Sequence, residues 1–265
     1  MSYSRSQADI EIANRMADAA RLAIAPYFRQ TIQVDNKLAG GFDPVTAADR
    51  ASETAMRAVL ADLAPEDGIL GEEFPDQPSL NGRQWVLDPI DGTRAFIAGL
   101  PTWTVLIALS QNGVPRIGMI DQPHIGERFV GWHGGATCSR GAETRPMATR
   151  KTGVLADAIL ATTDAYLFQG EESRAFDGLR QAVRLCRYGY DAYAYAMLAM
   201  GGLDLVVESG LQPYDVQALI PVVQGAGGVI TNWRGEDCSG GGQVLAAAHP
   251  ALHAEALNSL RSAAV

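Results

Sequence analysis

The stretch VLDPIDGTRAF at residues 86–96 ends an apolar run in two carboxylates, Asp88 and Asp91, with only Pro89 and Ile90 between them. A carboxylate directly after Val86 and Leu87 is costly to bury unless it is paired or bound to a cation. Pro89 restrains the backbone between the acids, so that both side chains and the Ile90 carbonyl can converge on one point. Oxygen ligands of this kind suit Mg²⁺, with Mn²⁺ as an alternative. Gly92 and Thr93 follow at once and open a helix, whose free N–H groups favour an anion. The spacing describes a metal seat beside a phosphate seat.

Other acids stand at similar junctions: Asp43 and Asp49 before an apolar helix, Glu72 and Glu73 after GIL, Asp215 after LQPY. Each has a structural explanation. Asp215 can be a helix N-cap, worth about 1 kcal/mol, Thr46 and Asp49 have the spacing of a capping box, and Asp91-Gly92 can be a turn, with Glu72-Glu73 a solvated loop. What those explanations leave over is the recurrence of acids where apolar segments end.

The elements that must position them follow from periodicity. Residues 6–29 have helical spacing, with Ile10, Ala13, Met16, Ala17, Ala20 and Ile24 on one face, and a second helix runs from about Ala47 to Leu63 after a Gly40-Gly41 loop. Strands are expected at 68–70, 85–88, 103–110, 116–123 and 127–133, which makes the first half α+β with a largely antiparallel sheet. After residue 150 strands at 157–164, 203–208 and 228–231 alternate with helices at 172–184, 192–201 and 215–228, a layered α/β pattern, and a helix over 249–263 finishes the chain. Residues 1–150 and 151–265 are accordingly expected to form two halves, the first carrying most of the acids.

Composition narrows the function classes. The chain has 265 residues, 47% hydrophobic and 19% charged, with 30 acidic against 21 Lys and Arg residues and a net charge of −9. Without a basic run, nucleic acid is not expected as a partner. No apolar run reaches the roughly 18 residues of a membrane helix, and the N-terminus lacks a signal-peptide pattern, so a soluble cytoplasmic protein without a membrane partner is expected. Cys138, Cys186 and Cys238 are too scattered for a disulfide framework or a zinc site. His249 and His253 have metal spacing but no acid nearby, and read as surface histidines.

GEE at 71–73, WVLDPIDGTRAF at 85–96, and PYD followed by VQALIP and GAGGVIT resemble the inositol monophosphatase family, Mg²⁺-dependent and lithium-sensitive phosphomonoesterases. The resemblance covers nearly the whole chain and implies a layered α-β-α-β-α sandwich, usually a homodimer, with its site between two halves. It further implies Glu72, Asp88, the Ile90 carbonyl, Asp91 and Asp215 as ligands for two or three Mg²⁺ ions, with Asp49 and Thr93 orienting or activating the attacking water and Glu72 assisting catalysis. Gly92 and Thr93 amides would hold phosphate, Lys37 matches the basic residue of the metal-site loop, and Glu73 lies behind the ligands. Tyr214 stands where family members often have Trp. A phosphate monoester is a dianion, so it can enter such a carboxylate cluster only after divalent cations reverse the local charge.

Competing designs fail on spacing. An aspartate-nucleophile D-x-D-x-T pattern needs one residue between its acids, Cys138 has no Arg six positions on, and GAGG at 225–228 is a helix stop rather than a dinucleotide loop. A structural metal site in a non-enzymatic protein would have no use for Asp49 and Thr93. Among substrates, LPTWTVLIAL at 100–109 and residues 187–228 look more like the histidinol-phosphatase branch than the inositol branch. A leaving group bearing an ammonium and an imidazole calls for acids beyond the metal ligands, and Asp191 and Glu208 are candidates, with a cap on a helix at Ala192 as the lesser reading of Asp191. Tyr190, where a second glycine is expected after Gly189, would narrow or reshape the pocket. The expected reaction is hydrolysis of L-histidinol phosphate, with inositol 1-phosphate or other sugar and polyol phosphates as alternatives.

Overall fold

The computed structural model describes residues 3–30, 34–36, 44–151 and 153–265. Lys37, Asp43 and the Gly40-Gly41 pair lie outside the described residues. In chain order the elements are α1 (Tyr3–Ile24), β1 (Val34–Asn36), β2 (Pro44–Thr46), α2 (Ala47–Leu63), β3 (Gly68–Gly71), β4 (Arg83–Asp91), α3 (Thr93–Ile97), β5 (Thr104–Gln111), β6 (Val114–Gln122), β7 (Glu127–Trp132), β8 (Gly135–Arg140) and β9 (Glu143–Pro146). There follow β10 (Ile159–Thr162), α4 (Glu171–Ala182), β11 (Leu185–Tyr188), α5 (Tyr193–Ala199), β12 (Leu205–Leu211), α6 (Pro213–Val216), α7 (Leu219–Gly225), β13 (Val229–Thr231), β14 (Gly242–Ala247) and α8 (Pro250–Leu260).

Strands β3 to β9 form one seven-stranded sheet in sequence order, antiparallel except for the parallel β3–β4 pair. The second sheet has five strands in the order β11-β10-β12-β14-β13, parallel among the first three and antiparallel beyond. Both faces of the larger sheet are covered. Trp85, Leu87, Ile107 and Leu109 pack with Ala13, Met16, Met56 and Leu60 of α1 and α2. Val86, Leu106, Ala108 and Ile120 point the other way, into a middle layer with Tyr195 of α5 and Val222 of α7 that also touches Val206 and Ala246 of the smaller sheet. The far face of that sheet carries α4 and α8, through Phe176, Leu179, Leu252 and Leu257. The result is the expected α-β-α-β-α sandwich. Burial on both faces explains why TVLIAL reads as a continuous apolar run rather than an alternation. Glycine permits the tightest contact in the middle layer: a Cβ on Gly118 of β6 would stand 2.0 Å from the Ala218 carbonyl oxygen. Among the described residues no helix is long and apolar enough to cross a membrane.

Several expectations are corrected. The first helix ends at Ile24, and residues 25–30 form turns and a bend. The helix expected over 215–228 is two short ones, because Pro213 occupies the first turn of α6 and the chain restarts at Leu219. Gln212 is therefore the N-cap, and Asp215 sits three residues inside, its carboxylate accepting from the Gln212 amide at 2.7 Å. The Thr46–Asp49 capping box is formed as expected. Strands β8, β9 and β14 were not expected. His253 is not a surface residue: it is 8% exposed, its ring Nε2 is 2.8 Å from the Thr231 hydroxyl, and burial lowers its pKa. His249 caps α8 by accepting from the Ala251 amide.

Candidate active site

In a regular strand, residues three apart face opposite sides. Asp88 and Asp91 escape that rule through a bulge: Asp88 pairs with Leu106 and Asp91 with Thr104, so three steps on β4 match two on β5. Pro89 falls inside the bulge, where it needs no ladder partner. Its carbonyl accepts from the Ser52 hydroxyl of α2 at 3.2 Å. Across the cleft β12 repeats the device, with Glu208 opposite Val244 and Leu211 opposite Gly242. The two irregular strand ends face a cavity of ≈ 530 Å³ between the sheets, a size suited to a small organic ligand.

One oxygen from each of Asp88, Asp91 and Asp215 lies within 4.8 Å of the others. An all-carboxylate trio at that separation fits a hard divalent cation. Glu72 lines the same cavity without joining the trio, and the Ile90 carbonyl accepts from the Thr93 hydroxyl at 3.1 Å. Asp88 is 2% exposed and accepts from the Ile90 amide at 3.0 Å, while Asp91 accepts from the Ala192 amide at 2.7 Å. Burial first, then the charge of Glu72, raises the Asp88 pKa well above the usual carboxylate range. Burial and the neighbouring Asp191 do the same for Asp91. Binding of a cation to such groups is coupled to loss of protons.

Gly92 and Thr93 line the cavity at the start of α3, Gly92 in a left-handed conformation with φ 78°. Asp191 shares that conformation with φ 47°, and its carboxyl lies 3.0 Å from where a Gly92 Cβ would stand. The tight turn at Asp191 aims the Ala192 amide at Asp91. The Asp191 side chain makes no helix cap, since α5 starts after Ala192 without one. Burial pushes its pKa up to about 6, opposed by the Arg94 charge. Glu208 lines the opposite wall, accepting from the Thr163 amide at 2.7 Å and hydroxyl at 3.0 Å, and burial pushes its pKa up to about 8.

Asp49 is not brought to the cavity wall. It is 1% exposed, accepts from the Thr46 amide at 2.8 Å and hydroxyl at 2.6 Å, and burial pushes its pKa up to about 6. Its charge reaches Asp88, but among the described residues no hydrogen bond joins it to Thr93. Tyr190 does not line the cavity either. Its hydroxyl accepts from Arg187 at 3.2 Å and the ring packs on the middle layer, so the expected reshaping of the pocket is not seen. Tyr214 does line it. Sequence reasoning missed Arg94, Thr163 and Tyr195, all on the cavity wall; the Tyr195 hydroxyl is buried without a hydrogen-bond partner among the described residues. Arg94 follows the quoted acids by three residues and was the one with a signal.

A family model described as the inositol monophosphatase family matches residues 6–264. The chain is 41% identical over 260 residues to the chloroplastic bifunctional phosphatase IMPL2 of Arabidopsis thaliana, a match covering 94% of this chain and 74% of that protein. It is 35% identical over 263 residues to a histidinol-phosphatase of Mycobacterium tuberculosis, covering 97% of this chain and 99% of that one. The solved inositol monophosphatase from Zymomonas mobilis aligns with a TM-score of 0.86 at 42% identity, covering 98% of this chain and 99% of that one. With its full-length match, its layered sandwich and its carboxylate trio beside a cavity, the chain belongs to the inositol monophosphatase family, enzymes that hydrolyse phosphate monoesters.

Proposed function

We propose that the protein hydrolyses L-histidinol phosphate to L-histidinol and phosphate, with Mg²⁺ held by Asp88, Asp91, Asp215, Glu72 and the Ile90 carbonyl. Bound there, the cation supplies a water of lowered pKa and neutralises charge on the phosphoryl and leaving oxygens. The chain's own groups do the rest. Asp88 and Asp91 are aimed by the Ile90 and Ala192 amides. Gly92 and Thr93 face the phosphoryl group from the start of α3, and Thr93, braced on the Ile90 carbonyl, orients the attacking water. Asp49, behind the wall, adds negative charge that keeps the Asp88 carboxyl basic toward a cation.

The observation that carries the substrate is the pair of acids outside the trio. Asp191, against Gly92, and Glu208, on the opposite wall, both line the cavity, and Glu208 is 2% exposed with its carboxyl raised to about 8. A cationic leaving group provides the counter-charge that lets a buried carboxyl ionise, which a neutral polyol does not. The similarity to a histidinol-phosphatase supports the same reading. The test is a comparison of kcat/KM on L-histidinol phosphate and inositol 1-phosphate. The expected result is a clear preference for the former, with Glu208→Gln eroding it about tenfold or more. Equal or better turnover of inositol 1-phosphate would overturn the substrate assignment and leave the phosphatase in place.

A further inference from the structure

Asp49, Ser52 and Glu53 occupy positions i, i+3 and i+4 of α2 and so share one face. All three are buried, at 1%, 0% and 0% exposure, although none is apolar. A carboxylate as deep as Glu53 is costly unless its oxygens are used, and both are. One accepts from Arg57 Nε at 2.8 Å, in an i,i+4 ion pair, and the other from the backbone amide of Glu73 at 2.8 Å. Arg57 then donates to the Phe74 carbonyl at 3.2 Å and lies over the Phe74 ring, 5.1 Å being exceeded only slightly at 5.8 Å to the centroid compared with the Arg29–Phe28 contact. On the other side of the loop, a Cβ on Gly71 would stand 2.0 Å from a Glu53 carboxylate oxygen, so the strand end comes as close to Glu53 as a glycine allows. Residues 71, 73 and 74 are thus all fixed to α2, and Glu72 stands between them. One residue earlier on the same helix, Ser52 holds the Pro89 carbonyl in the β4 bulge.

We propose that Glu53 is a positioning residue for Glu72: through the Glu73 amide, and through Arg57 to the Phe74 carbonyl, it sets the Glu72 loop at the spacing from the β4 bulge that a shared cation requires. The inference rests on the reading in which Glu72 is a metal ligand. It explains why Glu72, outside the trio of Asp88, Asp91 and Asp215, is nonetheless carried on a fixed loop. The β3–β4 ladder ends at the Gly71–Leu87 pair, and helix α2 holds the two strand ends beyond it, the Glu72 loop through Glu53 and the β4 bulge through Ser52.

The test is a Mn²⁺ titration of the metal-free full chain, followed by electron paramagnetic resonance, on the wild type, Glu53→Gln, Glu72→Gln and the double variant. Thr54→Ala, on the exposed face of the same helix, is the control and should bind as the wild type does. Glu53→Gln is expected to weaken Mn²⁺ binding by about tenfold to a hundredfold, the range for groups that orient metal ligands. Glu72→Gln should weaken it too, and the double variant no further, because one acts through the other. Wild-type binding by Glu53→Gln, or losses that multiply in the double variant, would overturn the positioning role while leaving Glu72 a ligand. Wild-type binding by Glu72→Gln would instead overturn the ligand assignment. If Glu53→Gln fails to fold, Arg57→Lys takes its place in the same cycle, since lysine keeps the charge but cannot bridge Glu53 and the Phe74 carbonyl at once.

Discussion

Asp121 and Asp88 are buried carboxylates of the same seven-stranded sheet, 0% and 2% exposed, and they are neutralised by different means. Asp121 is clasped by two arginines: Arg21 of α1 donates at 2.6 and 2.7 Å and Arg128 of β7 at 2.7 Å, with Arg128 reaching on to Asp18. Nearby, Arg83 joins Asp9 and Asp67 in the same manner. Among the described residues Asp88 and Asp91 accept hydrogen bonds from backbone amides and from no arginine. Their neighbours are other acids, which with burial drive their pKa values up. Where the fold needs a buried charge, the chain supplies the counter-ion. Around Asp88 and Asp91 the described residues supply no such clasp, and a bound cation would provide the counter-charge.

The largest effect that can break this contrast comes from exchanging one carboxylate in each region. Asp91→Asn removes a proposed cation ligand that few packing contacts depend on, so turnover should fall by more than about a hundredfold, with the melting temperature of the metal-free protein nearly unchanged. Asp121→Asn leaves two arginines against a neutral amide and should cost about 3–5 kcal/mol of stability, with kcat of the folded fraction close to the wild type. Calorimetry and steady-state kinetics on both variants decide it. Unfolding by Asp91→Asn, or lost turnover in a stable Asp121→Asn protein, would reverse the division of labour.

A smaller effect sharpens the contrast through pH. The Glu208 carboxyl, ordinarily at 4.5, is pushed up to about 8 by burial. The fold therefore binds this proton more tightly than the unfolded chain does. Its contribution to stability is complete below about 4.5 and is lost as the pH rises through about 8. Asp49 and Asp191, raised to about 6, act in the same direction over a lower window. In EDTA, Glu208→Gln should thus gain in melting temperature relative to the wild type between about pH 5 and about pH 9. A constant difference across that range would show that Glu208 titrates normally.

The site was more legible in the sequence than its supports. Asp88 and Asp91 could be picked out because a carboxylate directly after an apolar run asks for a cation, Asp215 was implied by the family resemblance, and the structure brings these three together. The bulge that makes Asp88 and Asp91 converge leaves little mark beyond Pro89. Strand β14, GQVLAA, is rich in alanine and was invisible to a search for β-branched alternation. The clamp on the Glu72 loop joins residues 20 and 37 positions apart, Glu53 to Glu73 and Ser52 to Pro89, and no local pattern encodes such pairs. His253 was misread for the same reason, since its partner Thr231 lies 22 residues away on β13. The structural alternative for Asp215, a helix N-cap, is not what forms, because Pro213 shifts that helix so that Gln212 is the N-cap.

The central claim is that the acids at the cavity work only with a cation from outside, and phosphate release from L-histidinol phosphate before and after exhaustive treatment with EDTA tests it most directly. The account predicts that release falls to background in EDTA and returns on adding Mg²⁺, with the fold unchanged throughout by circular dichroism. Substantial turnover in the chelated protein would contradict it.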